Sequence, residues 1–331
     1  MNLALAIPPL AAMAKLAGGI APQRKIPELA PVRFKKSFAR RNRRLATGTR
    51  VVLFPDTFND FFHPDVAHAA VDVLERAGFD VAVPQHDLCC GRPFYDFGML
   101  DQAKRYLRRV IDVLRPALEQ GTPIVVLEPS CAAVFRDELV NLFPNDWGAR
   151  RLHDQVISLA ELLEKKAPHF SFPELSRKAL VHGHCHQKAL EGIDHDKKIL
   201  ERMKIDAHVP ETGCCGMAGS FGFERGEKYD VSVKCGERVL LPEVRKATSD
   251  TIVLADGFSC REQIAQQTDR HALHLAQVIQ LGLEGGPLGR PESQMLAKRR
   301  RARRDANKRA LLAAGAACAA VVLTSVAMSR R

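Results

Sequence analysis

Two pairs of adjacent cysteines, each followed by a glycine, are the residues in this sequence with the clearest capacity for chemistry. The Cys-Cys-Gly sequence stands at residues 89–91 and again at 214–216, in a chain of 331 residues with nine cysteines. Thiolates are nucleophiles and soft metal ligands, and adjacent cysteines in a large chain are not typical of the disulfide framework of a small secreted protein. The pairs therefore predict reduced thiolates that serve a metal or redox site in the cytoplasm.

The cysteine pairs belong to two copies of a longer pattern. Short apolar runs predict strands at residues 51–54, 80–84, 123–127, 178–182, 207–210 and 251–255. Helical periodicity predicts helices at residues 9–18, 63–77, 100–119, 152–166, 195–203, 229–244 and 271–283. The order strand, helix, strand-Cys-Cys-Gly, helix, strand-Ser-Cys recurs after about 125 residues. We expect an α/β protein of two pseudo-symmetric repeats, each a small parallel sheet flanked by helices.

Composition divides the chain into five parts. They are a basic N-terminal arm (1–50), a first repeat (51–170), a second repeat (171–285), a basic linker (286–309) and an uncharged run (310–328). The last run is close to the minimum length of a spanning helix, and the basic residues before it favour a cytoplasmic body. The sequence predicts a C-terminal, apolar transmembrane tail helix that anchors the body at the cytoplasmic face of the membrane. A helix lying on the membrane surface and a disordered or soluble, cytoplasmic segment remain alternatives.

The net charge of +11 is distributed unevenly. Positive charge is concentrated in the two flanks, whereas residues 51–297 have an excess of eight negative charges. An acidic body argues against a nucleic-acid partner. Basic flanks favour contact with anionic lipid or an acidic protein.

Four cysteines of the second repeat follow the ends of predicted strands. The carboxyl ends of parallel strands meet at one edge of a sheet, so these residues should cluster in space although they are distant in sequence. Four thiolates suit an iron–sulfur cluster or a structural zinc ion, and the divergent side chains of adjacent cysteines favour the wider cluster. A thiol–disulfide pair and plain buried cysteines remain alternatives. The predicted ligands are Cys185, Cys214, Cys215 and Cys260.

The first repeat has three cysteines in equivalent positions, namely Cys89, Cys90 and Cys131. Alignment of residues 51–55 with 179–183 places Thr57 near the position of the fourth. Three thiolates hold a cluster only with a further ligand or an open site, and nearby candidates for that ligand are Asp56, His63 and Asp87. The first repeat is predicted either to bind a cluster or to be a degenerate copy that shapes a substrate or partner site.

Histidine and arginine side chains near the thiols are candidates for roles other than holding the metal. Residues 182, 184 and 186 are histidines on either side of Cys185, and strand alternation predicts that they face one side and the cysteine the other. They could tune a cluster or move protons, and an arginine at the first repeat could bind a carboxylate. The predicted substrate-binding residues are His63, Arg92, His184 and His186, with structural roles as the alternative. Cys235, inside a predicted helix, is expected only to pack.

Several of these segments resemble the cysteine-rich CCG domains of heterodisulfide reductase, of the small subunit of anaerobic glycerol-3-phosphate dehydrogenase and of the glycolate oxidase iron–sulfur subunit. The resemblance is carried by residues 53–58, 88–94, 127–131, 182–188, 213–223 and 255–263. It covers about residues 1–285 and extends to the C-terminal part of FAD- and iron–sulfur-containing oxidoreductases of the glycolate, D-lactate and D-2-hydroxyglutarate dehydrogenase type. Members with the fuller motif end each repeat with Cys-x-x-Cys and bind a non-cubane 4Fe-4S cluster. This chain has single cysteines there, Cys131 and Cys260.

The resemblance implies an electron-transfer subunit with a 4Fe-4S cluster, non-cubane or otherwise. Neither a ferredoxin-type cysteine run nor a flavin domain is recognised in the sequence, so we expect FAD on a partner flavoprotein and a separate ferredoxin-type subunit, or either alone. Electrons would pass from a flavin that oxidises a 2-hydroxy acid toward a membrane acceptor such as quinone. A thiol–disulfide reductase that uses the cysteine pairs and a non-catalytic, membrane-anchored scaffold remain alternatives.

Overall fold

Short apolar runs form two parallel sheets, one in each repeat. The strands are β1 (Arg50–Leu53), β2 (Asp80–Ala82), β3 (Ile124–Val125), β4 (Val156–Ile157), β5 (Lys178–Val181), β6 (Asp206–His208) and β7 (Ile252–Leu254). The first sheet has the order β2-β1-β3-β4 and the second the order β6-β5-β7. The central strands β1 and β5 share one burial pattern, an exposed first residue followed by three buried ones. The predicted α/β fold with two pseudo-symmetric repeats is confirmed.

Helices connect the strands and flank both sheets. In chain order they are α1 (Pro8–Ala17), α2 (Phe34–Ala39), α3 (Thr57–Phe61), α4 (Pro64–Arg76), α5 (Arg92–Asp96), α6 (Leu100–Glu119), α7 (Pro129–Ala133), α8 (Leu139–Leu142), α9 (Trp147–Gln155), α10 (Leu159–Lys166), α11 (Cys185–Leu190), α12 (Asp194–Arg202), α13 (Glu227–Glu237), α14 (Leu240–Lys246), α15 (Phe258–Gln267) and α16 (Leu275–Leu283). A π-helical turn, Val134–Glu138, joins α7 to α8, and Phe221–Phe223 form a 3-10 turn.

The apolar core of each repeat extends to its cysteines. In the first repeat, buried leucines of the amphipathic helix α6, with Val110 and Ile111, pack in one cluster with strand residues and with Cys90 and Cys131. In the second repeat, strand residues and the buried face of α14 form a cluster that includes Cys215 and Cys260. Close packing holds such groups in defined positions. The sheets and the cysteine-bearing segments are therefore fixed by the same apolar contacts.

Two predicted helices are divided in the structure. Residues 152–166 contain the short strand β4 between α9 and α10, because the β-branched pair Val156–Ile157 pairs with β3 and Ser158 caps the next helix. Residues 229–244 are divided between α13 and α14. Pro242 lies in the first turn of α14 and has no amide hydrogen with which to continue the hydrogen bonds of α13.

The computed structural model describes residues 2, 7–41, 48–286 and 290–310. Residues Met1–Glu292 form one compact unit and Ser293–Arg331 a second. Within the second unit, residues 293–310 are helical. The predicted tail helix at 310–328 lies, after Ala310, outside the described residues. Among the helices that are described, none combines the length and apolar character needed to cross a membrane.

Candidate metal centre

Strand ends place the cysteines of the second repeat at one edge of its sheet. Strand β5 leads into α11, which begins at Cys185, and β7 leads into α15, whose first turn contains Cys260. Strand β6 leads into the loop that holds Cys214 and Cys215. All three strands are parallel, so these connections leave the sheet at the same edge.

The four thiols form a continuous chain of contacts. Interactions that shift their pKa values link neighbouring thiols in the order Cys185, Cys214, Cys215, Cys260. The Sγ atoms of Cys215 and Cys260 and a ring nitrogen of His182 lie within 4.8 Å of one another. Cys215 and Cys260 are buried, Cys185 is half-buried and Cys214 is exposed. The structure thus brings the four predicted ligands of the second repeat together, with Cys185 and Cys214 toward solvent and Cys215 and Cys260 in the interior.

Electrostatic interactions among the four thiols favour negative charge on two of the sulfur atoms. Hydrogen bonds from Cys185 and Cys215 lower the pKa of Cys214 to about 2. A hydrogen bond from Cys215 and two neighbouring histidine rings hold the pKa of Cys260 well below its ordinary value. The same hydrogen bonds, together with burial, raise the pKa of Cys185 and of Cys215. Since the thiolate is the form that binds metal, this arrangement could hold a soft metal centre.

The glycine after each cysteine pair sets the backbone of the loop. Gly216 has φ +88°, a region that favours glycine, and its N–H donates to Cys214 Sγ at 3.3 Å. A side chain there would lie 2.1 Å from the carbonyl oxygen of Ser232. Gly91 has φ +80°, and its N–H donates to Cys89 Sγ at 3.5 Å. Both loops therefore use the same glycine conformation to direct an amide hydrogen to sulfur.

The first repeat has the same arrangement, except that a hydroxyl takes the place of one thiol. Cys131 Sγ donates to Cys90 Sγ at 2.9 Å, and Cys90 contacts Cys89. The hydroxyl of Thr57 contacts Cys89, as the thiol of Cys185 contacts Cys214 in the second repeat. The chain of contacts therefore has three thiols and a hydroxyl.

The three candidates for a further ligand in the first repeat have other partners. Asp56 is buried, and its two carboxylate oxygens accept from the backbone and side-chain amides of Asn59. Asp87 is paired with Arg33 and Lys35. The Nε2 atom of His63 lies 3.7 Å from a carboxylate oxygen of Glu262, and its ring packs against that of Phe258 at 5.1 Å between centroids.

A buried carboxylate links the two repeats beside these groups. Glu128 precedes α7, and its Oε2 atom accepts from the backbone N–H of Phe258 at 2.8 Å. Burial and the charge of Glu128 raise the pKa of Asp56 to about 7. The first repeat thus has a local excess of carboxylate where the second repeat has histidine rings.

The predicted substrate-binding residues lie at the edges of the thiol sites. Arg92 pairs with Glu138 at 2.5 Å and with Asp96 at 3.5 Å. The positive charge of Arg92 reaches His186, whose pKa is lowered mainly by burial. His63 faces the second repeat, as described above. A role of these side chains in binding an organic acid stays a prediction.

The expected alternation of the histidines around Cys185 is wrong. Strand β5 ends at Val181, so residue 184 is the N-cap of α11, and its ring accepts the N–H of His186 at 3.2 Å. As a result His184, Cys185 and His186 offer donor atoms within 4.8 Å of one another. Cys235 lies in α13 beside Gly216, outside the chain of thiols.

Sequence comparisons agree with this architecture. A family model for the cysteine-rich CCG domain matches residues 54–136, within the first repeat. Lactate utilization protein A of Bacillus velezensis is 30% identical over 244 residues, which cover 70% of this chain and 98% of that protein. The protein of the same name from Bacillus subtilis is 26% identical over 253 residues, with coverage of 70% and 98%.

A second group of relatives is longer than the matched region. One subunit of the anaerobic glycerol-3-phosphate dehydrogenase of Escherichia coli K12 is 24% identical over 230 residues, which cover 68% of this chain and 57% of that protein. The repeats, the paired cysteines and the near-complete coverage of the first group lead to one assignment: this chain belongs to the family of cysteine-rich CCG proteins that includes lactate utilization protein A.

Proposed function

We propose that this chain is an iron–sulfur electron-transfer subunit of a flavin-linked dehydrogenase. The observation that carries the proposal is the continuous chain of four thiols at the carboxyl edge of the second sheet, two of which favour the thiolate form. An iron–sulfur cluster, when bound there, would supply one-electron transfer. The residues that would hold it are Cys185, Cys214, Cys215 and Cys260.

The donor set fits a cluster better than a single zinc ion. Cys214 is exposed whereas its neighbour Cys215 is buried, so the two side chains enter different surroundings. A tetrahedral zinc ion requires four sulfur atoms at about 2.3 Å from one point, while a cluster presents several iron atoms to divergent ligands. The N–H of Gly216 directed at Cys214 is the kind of hydrogen bond that tunes a cluster.

The names of the relatives support a flavoprotein partner. They refer to lactate utilization and to glycerol-3-phosphate dehydrogenase, and both of these substrates contain a secondary alcohol. Oxidation of an alcohol removes two electrons and needs a hydride acceptor such as a flavin. We place FAD on a partner that oxidises a 2-hydroxy acid, with this chain carrying the electrons away. The 4Fe-4S type of the cluster is part of the proposal.

The basic C-terminal helix supports delivery of electrons to a membrane acceptor. Residues 298–309 have eight Lys and Arg against one Asp, and they are helical. Such a segment is attracted to anionic lipid. Flotation of the full chain with vesicles of phosphatidylserine and phosphatidylcholine, compared with phosphatidylcholine alone, tests this attachment. If the chain floats with neither kind of vesicle, the membrane acceptor is removed from the proposal.

The central experiment is anaerobic purification followed by assays of iron and acid-labile sulfide and by EPR in oxidised and reduced states. About four iron atoms and four sulfides per chain would support one cluster, and about eight of each would give the first repeat a cluster as well. Iron-free protein after anaerobic reconstitution would overturn the proposal.

One observation favours a second candidate, a thiol–disulfide reductase. The Sγ atoms of Cys90 and Cys131 lie 2.9 Å apart, close enough for a reversible disulfide to form. In that case mild oxidation would remove two free thiols per chain, and a Cys131→Ser variant would not lose them. Retention of all thiols in iron-free wild-type protein would exclude this candidate.

A further inference from the structure

A buried histidine lies against the thiols of the second repeat. His182 follows β5 directly and is 2% exposed. Its Nδ1 atom lies 2.7 Å from the hydroxyl oxygen of Thr212, which is itself buried. This contact fixes the plane of the ring and directs the other ring nitrogen away from Thr212.

The other nitrogen, Nε2, is buried and makes no hydrogen bond of ordinary geometry within the described residues, although the ring lies close enough to Cys260 to lower the pKa of that thiol. A ring nitrogen of His182 and the Sγ atoms of Cys215 and Cys260 lie within 4.8 Å of one another. A buried polar atom without a partner is costly, and its presence in a native fold requires an explanation. A metal centre held by the neighbouring sulfur atoms would supply the missing partner of Nε2.

The contact with Thr212 allows two proton arrangements, since either Nδ1–H or the hydroxyl can be the donor. When Nδ1–H donates to the hydroxyl oxygen, Nε2 carries a lone pair that is free to bind a metal. Histidines that bind metals usually donate their other N–H to a protein oxygen in this way. In that tautomer, the pairing of His182 with Thr212 leaves Nε2 available as a ligand.

A packing role does not explain the histidine. Alignment of β1 with β5 places Phe54 at the equivalent position of the first repeat, where its ring contacts that of Phe135 at 5.0 Å between centroids. An apolar ring thus fills this position in the same fold. The imidazole occurs in the repeat that has the fourth thiol.

We propose that His182 Nε2 is a nitrogen ligand of the metal centre held by the second-repeat cysteines, a fifth ligand beside the four thiolates, which gives that centre mixed thiolate and imidazole ligation. This inference rests on the proposed function, because it requires that a cluster be bound. A neutral imidazole adds less negative charge than a thiolate, and histidine ligation raises the potential of an iron–sulfur centre relative to cysteine ligation.

The test is pulsed EPR for nitrogen coupled to the paramagnetic cluster, on full-length protein grown with natural or 15N-labelled histidine. We expect a strong histidine nitrogen coupling in the wild type that is lost in His182→Ala. His182→Cys should retain iron, lack the coupling and have a lower reduction potential. His208→Ala, a change of an exposed histidine on the neighbouring strand β6, is the matched control and should retain the coupling.

The outcomes separate this inference from the proposed function. Wild-type protein without iron contradicts both. Iron with no strong nitrogen coupling, or with a coupling that survives in His182→Cys, overturns the inference alone. A lower potential in His182→Ala with only weak coupling in the wild type also overturns it, because His182 would then donate a hydrogen bond to sulfur instead of binding the metal. If His182→Ala does not fold, the His182→Cys variant decides the question.

Discussion

The two repeats share a backbone and differ in the side chains that face its edge. In both, the central strand leads to a side chain that caps the next helix, and a Cys-Cys-Gly loop directs a glycine N–H to the first sulfur. The side chains at equivalent positions change from apolar or acidic to histidine, and from hydroxyl to thiol. The equivalent pairs are Phe54 and His182, Asp56 and His184, and Thr57 and Cys185.

This difference teaches that the fold supplies positions and the side chains supply the chemistry. Apolar packing and glycine conformation place a ligand set at the sheet edge in each repeat. Only the second repeat completes that set with four thiols. The first repeat has a linking role in addition, since Glu128 accepts a backbone N–H from the second repeat.

The largest expected effect is the loss of metal from one repeat. Cys214→Ser removes the thiol between Cys185 and Cys215, so the second repeat should lose its cluster, about four iron atoms per chain. Cys235→Ser is the matched control, because Cys235 lies beside the same loop but outside the chain of thiols. Iron and sulfide assays on anaerobic protein measure both. Equal iron in Cys214→Ser and wild type would place the metal elsewhere.

The next effect compares the two glycines. Gly216→Ala adds left-handed backbone strain and a contact of 2.1 Å with the Ser232 carbonyl oxygen, so we expect a loss of about 5 kcal/mol in the free energy of unfolding. Gly91→Ala has a nearest contact of 3.3 Å and should cost about 1–2 kcal/mol. Denaturant unfolding of metal-free protein gives both values. If both variants lose the same free energy of unfolding, backbone strain determines the loss and the contact with the Ser232 carbonyl oxygen does not.

A pH effect tests the buried carboxyl group of Asp56 in the first repeat. Burial raises the pKa of Asp56 to about 7, so the folded state holds this proton more tightly than the unfolded state. The contribution of Asp56 to the unfolding free energy should therefore fall as pH rises from about 4 to about 7, by at most about 4 kcal/mol. Asp56→Asn should reduce the decline of the unfolding free energy across that range, and Asp196, whose pKa is also raised by burial, accounts for a decline that remains.

Asp146 offers a control for the same measurement. It also caps a helix, but its pKa is lowered, mainly by a hydrogen bond from Arg108. Its contribution to stability is lost only as pH falls below the ordinary carboxyl range, so Asp146→Asn should leave the slope between pH 4 and 7 unchanged. A flat profile in the wild type would contradict the raised pKa of Asp56.

Local sequence patterns predicted most of the scaffold. Apolar runs located every strand except β4, whose two residues become a strand only because Ile124 and Val125 lie beside them. That pairing joins segments about thirty residues apart, and no local pattern contains it. The repeat and the edge position of the cysteines were predictable, because parallel strands place their carboxyl ends together.

Side-chain directions at the site were less predictable. The expectation for His184 assumed that strand alternation continued to Cys185, but β5 ends at Val181 and a helix begins four residues later. Once the chain leaves the strand, the period of two no longer applies. The contact of His182 with Thr212 joins residues thirty positions apart, so the orientation of its ring depends on the fold.

The smallest expected effect is a gain in the first repeat. Thr57 begins α3 as Cys185 begins α11, and its hydroxyl already contacts Cys89. In a Cys214→Ser background, Thr57→Cys should therefore complete a four-thiol set and raise the iron retained by the first repeat. Thr57→Ser keeps the hydroxyl and should leave the iron content unchanged. If iron does not rise with the new thiol, the missing cysteine is not what limits the first repeat, and the carboxylates of Asp56 and Glu128 become the next positions to exchange.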